Sequence, residues 1–182
     1  MNMVKRMMTW SGIAGCFLIA GLSVRSWSHE PPVAKVMSPE FQEVKQLVGR
    51  WEGTSTPMGP ESKSGAVATE FRLTAAGSAI EENLFKGTPS EMVDMYTEVS
   101  GKLAMTHYCA MGNQPHMVMK NAGPHKIDLE MVPTEGIDPN SSHMHQLTLE
   151  FPDADHLTER WTNYTNGKPS ESVVFNMTRV KA

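Results

Sequence analysis

The sequence predicts an antiparallel up-and-down β-barrel of about ten strands with one short helix before it. Three observations carry this. After Gly49 the apolar pattern switches to period two. Candidate strands recur at the 8–12-residue spacing of an all-β domain, separated by turn residues. Only one segment, ahead of the first strand, has helical spacing. A ten-strand meander must manage its edges, and closing into a barrel does so; a sandwich is the alternative.

The elements follow in order. Lys5 and Arg6 precede an apolar run over 7–24, and Ser26 and Ser28 place small residues at −3 and −1. That layout is a secretory signal peptide over 1–28, implying an exported, periplasmic or extracellular protein. Two rivals stand. Ile13-Ala14-Gly15-Cys16 fits a lipobox, which would anchor the protein through lipid on Cys16, and the apolar run is just long enough for an uncleaved anchor. Cleavage after Ser28 takes the formal charge from −4 to −7 and leaves Cys109 as the single cysteine. An internal disulfide is then impossible, no stable membrane insertion is expected, and an acidic chain is a poor nucleic-acid binder.

Residues 29–38 contain Pro31-Pro32 and read as an extended leader to a single domain over 39–182. The helix is expected over 39–48, with Ser38 as N-cap, Pro39 at N1 and Glu40 in the first turn. Phe41, Val44, Leu47 and Val48 form its apolar face. Strands are expected near 50–56, 65–73, 79–86, 91–99, 102–111, 116–120, 126–132, 143–151, 156–164 and 171–180, with a polar loop over 133–142.

Alternation assigns faces. The inward rows read Val67-Thr69-Phe71-Leu73, Leu103-Met105-His107-Cys109-Met111, Ile127-Leu129-Met131, His143-His145-Leu147-Leu149-Phe151, Leu157-Glu159-Trp161 and Val173-Phe175-Met177. Glu159 is a carboxylate in an apolar row, where burial raises its pKa.

The main chemical signal is a pair of motifs, His107-x-Cys109 and His143-x-His145. Residues at i and i+2 of a strand share a face roughly 6.5 Å apart. If the two strands approach across the interior, His107, Cys109, His143 and His145 form a metal set suited to zinc or copper. The bland reading is a polar cluster at a barrel mouth, each histidine hydrogen-bonded to a carbonyl or water. His107 beside Cys109 also has the composition of a base and a nucleophile. The clustered methionines read as core filling rather than a copper relay.

Leu47-Val48-Gly49-Arg50-Trp51-Glu52-Gly53, a helix running into G-x-W-x-G, resembles the entry of calycin barrels such as lipocalins and nitrobindins. Thr106-His107-Tyr108-Cys109 with Gly112-Asn113-Gln114-Pro115, then His143-Met144-His145 and the stretch from Asp155-His156-Leu157 to Trp161, resemble an uncharacterised exported bacterial family, a domain of unknown function. The resemblance implies a calycin-like barrel with Trp51 closing one end. Nitrobindins hold haem through a late-strand histidine; His156 is expected to point outward, so haem fits less well than zinc or copper.

The reading this supports is an exported binding barrel for a small, partly apolar ligand, contacted by Trp51, Met105, His107, His145, Glu159 and Trp161. The second reading is a metalloprotein or metalloenzyme on the four-residue set. The third is a structural envelope protein.

Overall fold

The computed structural model describes residues 36–58 and 64–181. The expected signal segment over 1–28, with Cys16, and residues 29–35 of the expected leader lie outside the described residues. The helix α1 (Pro39–Lys45) is followed by ten strands: β1 (Gly49–Met58), β2 (Gly65–Thr74), β3 (Ala79–Leu84), β4 (Met92–Val99), β5 (Lys102–Tyr108), β6 (His116–Gly123), β7 (Lys126–Met131), β8 (His143–Asp153), β9 (His156–Thr165) and β10 (Lys168–Arg179). Every strand pairs antiparallel with its sequence neighbours, and β1 pairs with β10 to close the barrel. The sandwich alternative is thereby excluded.

One end of the barrel is sealed by side chains. The Ser38 hydroxyl accepts from the Phe41 N–H and caps α1. The Ser38 N–H donates to Glu98 at the end of β4, and Glu43 approaches His125 in the β6–β7 hairpin, so α1 lies at this end. Phe41 and Val44, with Leu47 just beyond the helix, enter the same core as Trp51. The Trp51 indole N–H donates to the Leu47 carbonyl at 2.7 Å. The Arg179 guanidinium stacks 4.1 Å over the Trp51 ring and donates to the Val48 and Gln46 carbonyls, both at 2.8 Å. It thereby satisfies carbonyls that the end of α1 leaves unpaired.

Both glycines of G-x-W-x-G have steric reasons. Gly49 has φ +136°, which L side chains rarely adopt. A Cβ on Gly53 would stand 1.9 Å from the Asn176 carbonyl oxygen across the β1–β10 pairing.

Three sequence expectations need correction at element ends. The helix stops at Lys45, because Gln46 and Leu47 already form a turn, and Val48 is exposed. Leu73 is 38% exposed, since it lies where β2 runs out toward its hairpin. Met111 is 52% exposed because β5 ends at Tyr108 and alternation stops with it.

The larger correction concerns β8. Pairing with β9 slips between Met144 and Gln146, leaving His145 as the extra residue of a β-bulge. Beyond the bulge, Leu147 and Leu149 face Trp161 and Glu159 in the interior. Before it, Met144 pairs with Asn163 of the inward row and His143 with Tyr164 of the outward one. The single inward row expected from His143 to Phe151 is therefore split.

Candidate functional site

Among the described residues, a band of ionisable side chains interrupts the apolar interior. The register places Glu82 of β3 opposite Asp94 of β4, and Asp94 opposite His107 of β5. Each shares the inward face of its strand with apolar neighbours, Ile80 and Leu84 flanking Glu82, and Met105 preceding His107. Glu159 reaches in from β9 on the far wall. Glu82, Asp94, His107 and Glu159 are each at most 1% exposed.

These groups form a connected network. Asp94 Oδ1 lies 2.6 Å from His107 Nδ1. The Thr69 hydroxyl donates to Glu82 Oε1 at 2.9 Å and the Tyr96 hydroxyl to Oε2 at 2.8 Å. The Trp161 indole N–H donates to Glu159 Oε2 at 3.1 Å, and the Trp161 ring lies 4.8 Å from that of His107. Glu82 and Glu159 each influence the other's ionisation. Three buried atoms here have no hydrogen bond: Asp94 Oδ2, His107 Nε2 and Glu159 Oε1.

Burial and like charge set the protonation. Burial, then the negative charges of Glu159 and Asp94, push the Glu82 carboxyl well above the usual range. Burial raises Glu159 to about 7, against Glu82 and the Trp161 N–H, which favour its anion. Burial raises Asp94 too, against the pull of His107. Burial disfavours the His107 imidazolium, but the charge and hydrogen bond of Asp94, with a contribution from Cys109, outweigh it and lift the group to about 10. At Cys109 burial is outweighed by His107 and by the Met111 backbone N–H, so the thiol ionises more readily than usual.

The band lies toward the end opposite α1, where a cavity of about 220 Å³ sits inside the barrel. Ser55, Leu84, Phe85, Met92, His107, Met144, Trp161, Val173 and Phe175 line it. Phe85 and Phe175 meet edge to face at 5.7 Å, forming one apolar wall.

The expected metal set does not assemble. His107 lines the interior cavity, whereas His143 and His145 line a separate one of about 630 Å³ with Tyr164, beneath the loop over 132–139. The bulge at His145 is the cause. His143 Nδ1 approaches the Ser141 carbonyl at 2.9 Å, its Nε2 lies 3.1 Å from His145 Nδ1, and His145 stacks on Tyr164 at 3.8 Å. Burial, then His143, lowers the pKa of His145. Among the described residues no group of three or more His, Cys, Asp or Glu is placed to hold a metal ion.

The other expected ligand contacts divide in the same way. His107 and Trp161 border the interior cavity, and Glu159 lies behind Trp161. Met105 is fully buried in the core, and Trp51 belongs to the sealed end. His145 is in the outer cavity. His156 is exposed at the β8–β9 hairpin, where it pairs with Asp153, as its outward placement required. Glu82, Asp94 and Tyr96 were missed. Reading rows on the third and fourth strands would have found them, since Glu82 alternates with Ile80 and Leu84 and Asp94 with Met92 and Tyr96.

No protein-family model matches the chain, and no curated protein matches it. Solved structures do. A protein of unknown function from the DUF3598 family of Nostoc punctiforme matches with TM-score 0.56 and 10% identity, over 75% of this chain and 48% of its own. This chain therefore spans about half the length of that protein. The Rv2717c protein of M. tuberculosis matches with TM-score 0.56 and 15% identity, over 80% of this chain and 100% of its own. At these identities the likeness establishes the fold, a ten-strand antiparallel barrel of the kind found in uncharacterised domains.

Proposed function

We propose that the protein is an exported binding module for a small, largely apolar molecule carrying one hydrogen-bonding oxygen, held at the end of the barrel away from α1. The observation that carries this is the cavity of about 220 Å³ bordered by apolar side chains and by His107, whose buried Nε2 makes no hydrogen bond. A dry apolar cavity of about 150 Å³ accepts benzene, so a ring with one polar substituent is the right size. An imidazolium held by Asp94 offers that substituent an Nε2–H donor. The positive n-region, apolar run and Ser26-Trp27-Ser28 support export.

The test is titration of labelled protein with cyclohexanone, followed by amide NMR. Saturable shifts at Leu84, Met144 and Val173 are expected, lost in Val173→Trp, which fills the cavity. Unsaturable shifts, or equal binding by a folded Val173→Trp variant, would refute the reading.

A further inference from the structure

We propose that the outer cavity under the loop over 132–139 is a second binding site, and that it takes a neutral aromatic molecule whose hydroxyl donates to His145 Nε2. It shares no lining residue with the interior cavity, so it stands apart from the reading above.

The bulge in β8 builds the polar wall. Residues two apart on a regular strand stand roughly 6.5 Å apart on one face. Here the slip between Met144 and Gln146 brings His145 Nδ1 to 3.1 Å from His143 Nε2, with the ring centroids 5.3 Å apart. Bulges commonly re-aim a side chain in this way beside a site. His145 stacks on Tyr164 of β9 at 3.8 Å and 17°, which fixes the plane of its ring. His143 is 1% exposed, and its Nδ1 lies 2.9 Å from the Ser141 carbonyl.

A carbonyl only accepts, so His143 Nδ1 carries the hydrogen of that bond. With both rings neutral, His143 Nε2 is then an acceptor, and His145 Nδ1 donates to it. His145 Nε2, the last atom of the chain, is left with a bare lone pair. It makes no hydrogen bond among the described residues, and it is not one of the atoms buried without a partner. Burial and the neighbouring His143 both disfavour charge on His145. One backbone carbonyl thus sets the polarity of the pair.

The rest of the cavity is largely apolar and preformed. Met131, Val132, Pro133, Ile137 and Pro139 line about 630 Å³, a volume in the range of small-molecule sites. The β7–β8 connection that roofs it is tied down on three sides. The Val132 N–H donates to the His116 carbonyl at 3.0 Å, the Asn166 N–H to the Asn140 carbonyl at 2.9 Å, and the Asn113 side-chain amide to the Ser142 carbonyl at 2.9 Å. Little ordering is therefore left for a ligand to impose. The apolar walls suit a hydrocarbon ring, and the lone pair suits one hydrogen-bond donor. Glu135, the acidic residue of the wall, disfavours a carboxylate or a phosphate. A neutral phenol meets all three conditions.

The test titrates 4-fluorophenol into labelled protein at pH 7.5, followed by amide NMR. Saturable shifts are expected at Val132, Ile137 and Tyr164, and they should persist in Val173→Trp, which fills the interior cavity. 4-Fluoroanisole has the same ring without the O–H, and it should bind there about two- to tenfold more weakly, the worth of one hydrogen bond. His145→Phe keeps the stack on Tyr164 and removes the acceptor, so it should weaken the phenol by the same factor and leave the anisole unchanged. Shifts that do not saturate, anisole binding as tight as that of the phenol, or a folded His145→Phe variant that binds the phenol at wild-type strength overturns the proposal. The wild-type comparison of the two ligands decides the matter even if the variant does not fold. Loss of the shifts in a folded Val173→Trp variant also overturns it, because the phenol would then sit in the interior cavity. Their retention in a protein that does not bind cyclohexanone would uphold this site while the interior reading fails.

Discussion

Replacing Glu159 by glutamine should stabilise the barrel by about 3 kcal/mol or more at pH 8 and by only about 1 kcal/mol at pH 5. The side chain is fully buried and its carboxyl ionises near 7 in the folded state, against about 4.3 in an unfolded chain. A group with a raised folded pKa binds more protons folded than unfolded, so stability falls as pH rises from the unfolded value through the folded one. Each pH unit of that window is worth 1.36 kcal/mol, so about 3 kcal/mol is lost between pH 4 and pH 8. In Glu159→Gln the new amide would keep an oxygen for the Trp161 N–H and carry no charge to desolvate. For a domain of this size 3 kcal/mol corresponds to about 6–12 °C in Tm. The assay is calorimetric or circular-dichroism melting at pH 5, 6, 7 and 8 at fixed ionic strength. Parallel pH profiles for wild type and variant would show that Glu159 does not ionise in the folded protein, and the reasoning would fail.

Four further outcomes follow from the same structure. His107, lifted to about 10, contributes stability that is complete below pH 6.5 and disappears as pH rises through 10, so Asp94→Asn should flatten the decline in Tm measured between pH 7 and 10. Gly53→Ala should prevent β1–β10 closure, because its Cβ meets the Asn176 carbonyl at 1.9 Å; dispersed amide NMR signals in that variant would contradict this. Trp51→Ala should lower stability by about 3–5 kcal/mol in urea unfolding, through the cavity left in the core and the loss of the Arg179 stack. Ser38→Ala removes the oxygen that caps the Phe41 N–H and should cost about 1 kcal/mol in the same assay.

The architecture was legible because its signals are local. Turn residues such as Gly101, Gly123-Pro124 and Asn166-Gly167 end strands wherever they fall, and alternation does the rest. Glu159 stood out for the same reason, as a charge in an otherwise apolar row. Its partners were equally readable, since Glu82 and Asp94 alternate with buried apolar residues just as it does. That the three strands of Glu82, Asp94 and His107 stand side by side follows from the meander itself. What could not be read was the bulge at His145. A one-residue slip turns every side chain beyond it to the other face, and nothing in His143-Met144-His145 marks it. The metal expectation rested on uninterrupted alternation there and failed with it. Met111 failed for a related reason, because the strand ends at Tyr108 while the apolar period continues into the turn.

The two ends of the barrel place opposite demands on stability. At the α1 end, Arg179 joins the helix carbonyls to the Trp51 ring, and Gly53 lets β10 approach β1. Toward the other end, three carboxyl groups and one imidazole are buried in contact, with Asp94 Oδ2, His107 Nε2 and Glu159 Oε1 left without hydrogen bonds. A band of hydrophobic residues of similar volume would be as stable or more so, since desolvating paired charges commonly offsets their attraction. A buried unmade hydrogen bond adds about 1–3 kcal/mol of destabilisation. Stability therefore gives no account of this band, and its placement does. It adjoins the cavity, and Asp94 fixes the ring of His107 that borders it. If the band serves binding, Glu159→Gln should separate the two properties, raising Tm at pH 8 while weakening cyclohexanone binding through the altered field at His107. A variant that gains stability and binds as tightly as the wild type would leave the carboxylate without a role at this site.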